Sequence, residues 1–200
     1  MLGCSAPSGL SETTGAQDAE LYALRGRLWP HGIVPVCWDS EGNDDEKGWV
    51  ESAAERTWAS VAAVRFVGWT PCPARFAGAR LAFEDGWPRT LGLGTQTAGV
   101  PRGVLLNASF ENWGRTCSAA ELRRLCVEAV AVHELGHVLG FAHAQNRPDT
   151  PESCPAQQGD RGDETLGPWD LHSVMNYCNP LWNNGGQLSA RDVDGARRLY

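Results

Sequence analysis

This sequence of 200 residues has little that would place it in a membrane or on a nucleic acid. No apolar run is long enough to cross a bilayer, and the first residues lack the charged and apolar regions of an export signal. Lysine and arginine are unclustered, the net charge is −7 and the pI is near 5.2. Because phosphate binding needs clustered cations, this composition argues against a nucleic-acid partner.

The sequence also lacks a CxxC pair and any cysteine spacing suited to a zinc site built from thiolates. Seven dispersed cysteines are nevertheless present, which is typical of disulfide-bonded proteins outside the cytosol. We predict three disulfides among Cys37, Cys72, Cys117, Cys126, Cys154 and Cys178. We favour a Cys154–Cys178 bond, since it would close a long segment without periodicity. The expected location is extracellular, secreted or lipid-anchored at a bacterial cell surface, with an export signal that this sequence does not include.

The seventh cysteine, Cys4, lies in a stretch of residues 1–20 that contains few large apolar side chains. We interpret this stretch as a flexible tether or the remnant of a propeptide. Met1-Leu-Gly-Cys4 is similar to the end of a bacterial lipobox, so a lipid anchor at Cys4 is one interpretation. The others are a free thiol in a tail, and a thiolate that blocks a metal site in a latent form.

The most informative stretch is His133-Glu-Leu-Gly-His137-Val-Leu-Gly140-Phe-Ala-His143. Residues four apart on an α-helix lie on one face, so His133 and His137 can bind the same metal ion. Gly140 permits the positive φ that a helix needs to end and reverse, which brings His143 to the same ion. Three neutral nitrogen ligands leave one position of a tetrahedral zinc open, as in catalytic sites. Glu134 beside them is the candidate general base for a metal-activated water.

This string resembles the extended zinc signature of the metzincin metalloproteases, HExxHxxGxxH. Ser173-Val-Met175-Asn-Tyr177 is similar to the Met-turn of that family, in which the methionine forms a floor under the metal. The resemblance implies that Tyr177 is a fifth ligand or an oxyanion donor. Within the metzincins, the resemblance is strongest to the astacins, and it rests on Tyr177, on Arg147-Pro-Asp149 and on Leu28–Pro35. Astacins carry a glutamate after the third histidine that anchors the mature N-terminus, and this sequence has Ala144 there.

The resemblance implies an α+β fold, with a mixed twisted sheet and an active-site helix in two lobes that flank a zinc cleft. We expect a catalytic domain over residues 21–200, with an upper lobe of about 21–143 and a lower lobe of about 144–200. The residues themselves predict strands at 33–38, 64–67, 80–83 and 104–109, and an amphipathic helix over 49–64. Strand, helix and strand at this spacing predict a parallel crossover. Residues 84–103 and 144–171 are interpreted as loops.

Ser118-Ala-Ala-Glu121 has the spacing of a capping box, so the metal helix is expected from there to Leu139. A helix that begins at Ser118 would hold Cys117 and Cys126 roughly 13 Å apart, which argues against a bond between them. A second capping box, Ser189 to Asp192, predicts a final helix.

We therefore predict a monomeric zinc endopeptidase that hydrolyses peptide bonds with Glu134 as the base and binds its protein or peptide substrate in an extended conformation. The alternatives are a catalytically silent binding protein of the same fold and a protease of another metzincin branch, such as a matrixin. Intact ligands and base argue against the first, and Tyr177 and Arg147-Pro-Asp149 argue against the second.

Overall fold

The computed structural model describes residues 21–154 and 157–200. The predicted tether and Cys4 lie outside the described residues. Within the described part of the chain, no helix is both long and apolar enough to cross a membrane.

The described strands, in chain order, are β1 Leu21–Ala23, β2 Ile33–Trp38, β3 Arg65–Pro71, β4 Ala79–Phe83, β5 Arg89–Thr90, β6 Val104–Leu106, β7 Phe141–Ala142 and β8 Glu164–Leu166. The described α-helices are α1 Asp44–Arg56, α2 Trp58–Val61, α3 Ala120–Val138 and α4 Ala190–Leu199. The predicted helix over 49–64 is therefore two helices. α1 begins earlier, where three acidic residues suit the positive end of a helix, and the break falls at Thr57.

Five strands form a mixed sheet in the order β3-β2-β4-β6-β5. The first four are parallel, and α1 connects β2 to β3 as the predicted crossover. The edge strand β5 runs antiparallel to β6, and it lies in a stretch that we predicted to be a loop. That prediction was wrong because a strand of two residues is too short to show a period in the sequence.

Helix α3 runs through the core against α1 and the sheet, and from Cys126 to Val138 all of its residues except Glu128 are buried. Its start differs from the prediction. Ser118 lies in a 3₁₀ turn, Arg115–Ser118, and its hydroxyl donates to the carbonyl of Arg115 instead of capping α3. Cys117 is therefore outside the helix and folds back onto it, with its Cα 5.7 Å from that of Cys126 in a disulfide. The expectation that these two cysteines are not bonded was wrong.

The chain beyond α3 is less regular. β8 lies in the second predicted loop and pairs with β1, which pairs with β7 on its other side. Disulfides Cys37–Cys72 and Cys154–Cys178 complete the predicted three. The final helix begins as predicted, since Ser189 accepts a hydrogen bond from the backbone of Asp192 and Asp192 accepts one from the backbone of Ser189.

Candidate metal centre and cleft

The last two turns of α3 carry His133, Glu134 and His137, all three almost fully buried. The helix then ends at Gly140, whose φ of 98° is in the region that favours glycine. The Gly140 N–H donates to the carbonyl of His137 and closes the last turn. Strand β7 follows directly and brings His143 back beside the helix, so the predicted reversal is present.

The three imidazoles converge through their Nε2 atoms. His143 Nε2 lies 3.1 Å from Nε2 of His133 and 3.1 Å from Nε2 of His137. Each Nδ1 contacts a backbone carbonyl instead, at 2.7–2.8 Å, and the acceptors are Val174, Phe141 and Gln158. A carbonyl oxygen can only accept, so each Nδ1 carries the proton and each Nε2 turns a lone pair toward the other two.

Three lone pairs in contact repel one another unless they share a cation. Nitrogen ligands about 2.0–2.1 Å from a tetrahedral zinc would be about 3.3 Å apart, close to the separations found here. Burial lowers the pKa of His133 to about 3 and also lowers the pKa values of His137 and His143, so all three rings are neutral near pH 7. The donor set therefore fits zinc.

Glu134 points into the cleft beside this cluster. Its Oε2 accepts a hydrogen bond of 2.7 Å from the hydroxyl of Thr90 on the edge strand β5. Burial raises the pKa of Glu134 to about 8, against the lowering effects of the Thr90 hydrogen bond and the charge of Arg89. Sequence reasoning missed Thr90, because it lies in a stretch that carries no recognisable motif.

Met175 lies against α3, and Tyr177 lies against the histidines. Met175 is fully buried, and its Sδ lies where a side chain on Gly136 of α3 would have to go. The Tyr177 ring stacks on His133 with centroids 5.3 Å apart, and its centroid is 4.3 Å from that of His143. Burial and the nearby Glu134 raise the pKa of the Tyr177 phenol, so it remains protonated. The structure thus brings all six predicted site residues together.

Asp192 of α4 fixes the start of the Ser173–Tyr177 turn through hydrogen bonds. Sequence reasoning assigned this residue only to a helix cap. Its buried carboxylate accepts hydrogen bonds from the Ser173 hydroxyl at 2.7 Å and from the Val174 N–H at 2.9 Å. Burial raises its pKa to about 6, while these hydrogen bonds lower it. Since the carbonyl of Val174 orients His133, Asp192 acts on the metal centre through the backbone.

Arg147 and Asp149, which carried part of the astacin resemblance, connect segments below the site. The buried Arg147 side chain is ion-paired with Asp149 at 2.8 Å and donates to the carbonyls of Leu166 and Gly167. Ala144 is buried and, unlike glutamate, offers no carboxylate to an N-terminus.

Two cavities open beside Glu134 and Tyr177. The first has a volume of about 270 Å³, and we call it the aromatic pocket because three tryptophans line it. Its lining residues are Trp87, Pro88, Trp113, Val130, His133, Glu134, Asn176, Tyr177, Asn179, Pro180, Trp182 and Asn183. The second, of about 490 Å³, lies along β5 and contacts Arg89, Asp160, His137 and His143. The candidate centre therefore lies in an open cleft with space on two sides.

Comparison with known proteins relates these features to a peptidase family. A sequence model described as Astacin, a peptidase family, matches residues 119–159. The chain is 22% identical over 219 residues to zinc metalloproteinase nas-39 of Caenorhabditis elegans, a match that covers 89% of this chain and 21% of that protein. The chain thus spans about a fifth of the length of this relative.

Two solved structures of myroilysin have a similar fold. The first has a TM-score of 0.65 at 19% identity and covers 89% of this chain and 97% of that one. The second has a TM-score of 0.57 at 18% identity, with coverages of 87% and 86%. These similarities confirm the predicted α+β fold.

The fold, the histidine cluster and the family match over residues 119–159 make the chain similar to metzincin-like zinc metalloproteases, as predicted, and its three histidines can hold a metal ion. Within this class, the family match and the curated relative support the predicted similarity to the astacins.

Proposed function

We propose that this chain hydrolyses internal peptide bonds of protein or peptide substrates, with zinc held by His133, His137 and His143. The observation that carries the proposal is the set of three Nε2 lone pairs that converge beside the buried carboxylate of Glu134 in an open cleft. Bound zinc supplies a Lewis acid that polarises the attacking water and stabilises negative charge on the peptide oxygen.

Four side chains of the protein have the other roles in this mechanism. Glu134, in its ionised form, accepts the proton of the attacking water and passes it to the leaving amine. The Tyr177 phenol donates a hydrogen bond to the oxygen that becomes negative in the transition state. Met175, which packs against α3 at Gly136, forms the floor under the metal, and the hydroxyl of Thr90 orients the Glu134 carboxylate.

The edge strand β5 is the proposed binding surface for an extended substrate. One side of β5 pairs with β6, and residues 89–91 line the cleft together with Glu134, His137 and Tyr177. An extended peptide can add to such an edge through backbone hydrogen bonds, which places its carbonyl groups along the site. In this proposal residues 21–143 form the upper lobe of the catalytic domain and residues 144–200 the lower lobe.

We further propose that the protein works as a monomer outside the cytosol, either secreted or lipid-anchored. The three disulfides support an oxidising compartment. Peptide mapping without reductant checks the disulfides. Free thiols at all six bonded positions in exported protein would contradict the oxidising compartment.

Glu134→Gln tests the hydrolytic function. The variant keeps the shape of the side chain but removes the base, so kcat on casein should fall by about 10²–10⁴-fold, the usual contribution of general base catalysis. Zinc content and melting temperature are measured on the same preparation and should match wild type. Equal rates at equal zinc content would exclude Glu134 as the base. Zinc-loaded wild type that cleaves nothing in a denatured protein mixture would instead support the alternative, a silent binding protein.

A further inference from the structure

The aromatic pocket has a composition unlike the rest of the cleft. Trp87 and Trp182 are 55% and 41% exposed, although large aromatic side chains are usually buried. They come from distant parts of the chain, the segment before β5 and the segment after the Met-turn, and Trp113 lies between them. Ring centroids are 4.9 Å apart for Trp87 and Trp113, and 6.0 Å apart for Trp113 and Trp182. Exposed aromatic rings that meet around a cavity are typical of a binding site.

Two of the three asparagines in the pocket wall are already engaged within the protein. The Asn176 amide donates to the carbonyl of Asp170, and its oxygen accepts from the backbone of Cys178. The Asn179 amide donates to Asn184, and its oxygen accepts from the backbone of Leu181. A polar side chain that entered the pocket would therefore find little hydrogen-bonding capacity left on these two side chains.

The charges of the pocket wall also select against acidic groups. Neither lysine nor arginine is among the described residues that line it, and Glu134 is the one carboxylic acid among them. An aspartate or glutamate of a substrate would be desolvated beside another carboxyl group, with no cationic side chain in the wall to pair with. A large apolar side chain would instead cover the exposed tryptophan surface and gain edge-to-face ring contacts.

The position of the pocket relates it to the reaction. It shares His133, Glu134 and Tyr177 with the metal centre, and Val130, one turn earlier on α3, also lines it. A side chain in the pocket therefore belongs to a residue that directly flanks the bond placed at the metal centre.

We propose that the aromatic pocket selects substrates with a large apolar side chain, aromatic or leucine-sized, at one of the two positions that flank the cleaved bond. This inference rests on the proposed function and adds a substrate class to it. Trp182 is the residue that decides the selection, because it is the exposed one of the two tryptophans that line this pocket and not the cavity along β5.

The test is a set of matched peptides that place Phe, Leu, Ala, Asp or Lys at each flanking position, with cleavage sites assigned by mass spectrometry. Wild type should cleave the Phe and Leu peptides with kcat/KM about 10–100-fold above the Ala peptide at one position, and should cleave the Asp peptide least. Equal rates for Phe, Ala and Asp at both positions, or a preference for Asp, would overturn the proposal and leave the hydrolytic function intact.

Variants of Trp182 locate the effect. Trp182→Ala should lower the ratio of the rate on the Phe peptide to the rate on the Ala peptide about tenfold. Trp182→Arg should raise the relative rate on the Asp peptide, because it supplies the missing cation. Leu181→Ala is the matched control, since Leu181 is 57% exposed in the same segment but does not line the pocket. A ratio unchanged in Trp182→Ala, or lowered equally in Leu181→Ala, would contradict the assignment.

A binding measurement separates this proposal from the hydrolytic one. Zinc-loaded Glu134→Gln is titrated with the Phe and Asp peptides by calorimetry, with and without Trp182→Ala. The Phe peptide should bind at least about tenfold more tightly than the Asp peptide, and Trp182→Ala should remove most of that difference. If wild type cleaves no peptide but the Phe peptide still binds more tightly than the Asp peptide, the proposed hydrolytic function is wrong and the pocket proposal is retained. If the peptides bind equally, the pocket proposal fails.

Discussion

Residues 120–143 and residues 144–200 contribute to the same metal centre but are held in place by different forces. Helix α3 is fixed by its own backbone hydrogen bonds and by burial of every residue from Cys126 to Val138 except Glu128. Within the described part of 144–200, by contrast, α4 and the three-residue strand β8 are the only α-helix and strand. Side-chain to backbone hydrogen bonds, such as those of Asp192, and the Cys154–Cys178 disulfide hold it instead.

This difference separates the identity of the ligands from their orientation. α3 provides His133, His137 and Glu134, whose positions follow from helix periodicity. The later segment provides the carbonyls of Val174 and Gln158, which fix the ring orientations of His133 and His143. Ligands without such partners bind metal less tightly, commonly by about 10–100-fold. Residues 120–143 therefore determine which groups bind the metal, and residues 144–200 determine how the ligand rings are oriented.

The largest expected effect is the loss of a ligand from the helix. His133→Ala should reduce zinc from one ion per chain to nearly none, because two imidazoles do not form a three-ligand site. His172→Ala is the matched control, since His172 is an exposed histidine of the later segment outside the cluster. Elemental analysis of both variants is the measurement. Full zinc content in His133→Ala would show that the metal is bound elsewhere.

Tyr177→Phe tests whether the later segment also contributes to the chemistry. If the phenol donates to the developing oxyanion, kcat should fall by roughly ten- to a thousandfold with little change in KM. Zinc content should stay near wild type. A structural tyrosine would instead lose about 1 kcal/mol of stability and keep its rate, so kcat and melting temperature on one preparation decide between the two roles.

The disulfides allow the two regions to be weakened separately. Replacement of both Cys154 and Cys178 by serine should cost about 3.5 kcal/mol of unfolding free energy, and replacement of Cys117 and Cys126 about 2.7 kcal/mol, from the lengths of the closed loops. Only the first pair should also lower zinc affinity, since it is joined to the Met-turn. Denaturant unfolding and zinc titration measure the two effects. Equal losses of zinc affinity in both variants would remove the distinction between the regions.

The smallest expected effect concerns the contact between the two regions. A methyl group on Gly136 would overlap Sδ of Met175 and approach Cζ2 of Trp58 to 3.2 Å. Gly136→Ala should therefore cost about 1–3 kcal/mol through overpacking. Gly48→Ala on the exposed face of α1 is the control, where nothing lies within 4 Å of the new methyl group. It should raise stability by about 0.5–1 kcal/mol. Thermal unfolding compares them, and a neutral Gly136→Ala would show that Met175 moves freely.

Local pattern was enough to predict much of the site. The spacing of His133 and His137 placed both on one helix face, and Gly140 predicted the reversal that delivers His143. The apolar runs predicted β2, β4 and the parallel crossover, while the cysteine count predicted three disulfides. The predictions of the helix, its reversal and the strands succeeded because each depends on residues that are neighbours in sequence and on geometry that a helix or strand repeats.

What the tertiary structure alone decided involves residues that are far apart in the sequence. His133 and the carbonyl of Val174 are separated by 41 positions, and Thr90 and Glu134 by 44, so no local period relates them. The Cys117–Cys126 bond depended on where α3 begins, a boundary set by how the preceding turn packs. The aromatic pocket joins tryptophans from three separate segments. The sequence determined the metal-binding chemistry through helix periodicity, whereas chain packing decided ring orientation, the shape of the cleft and the surface that meets a substrate.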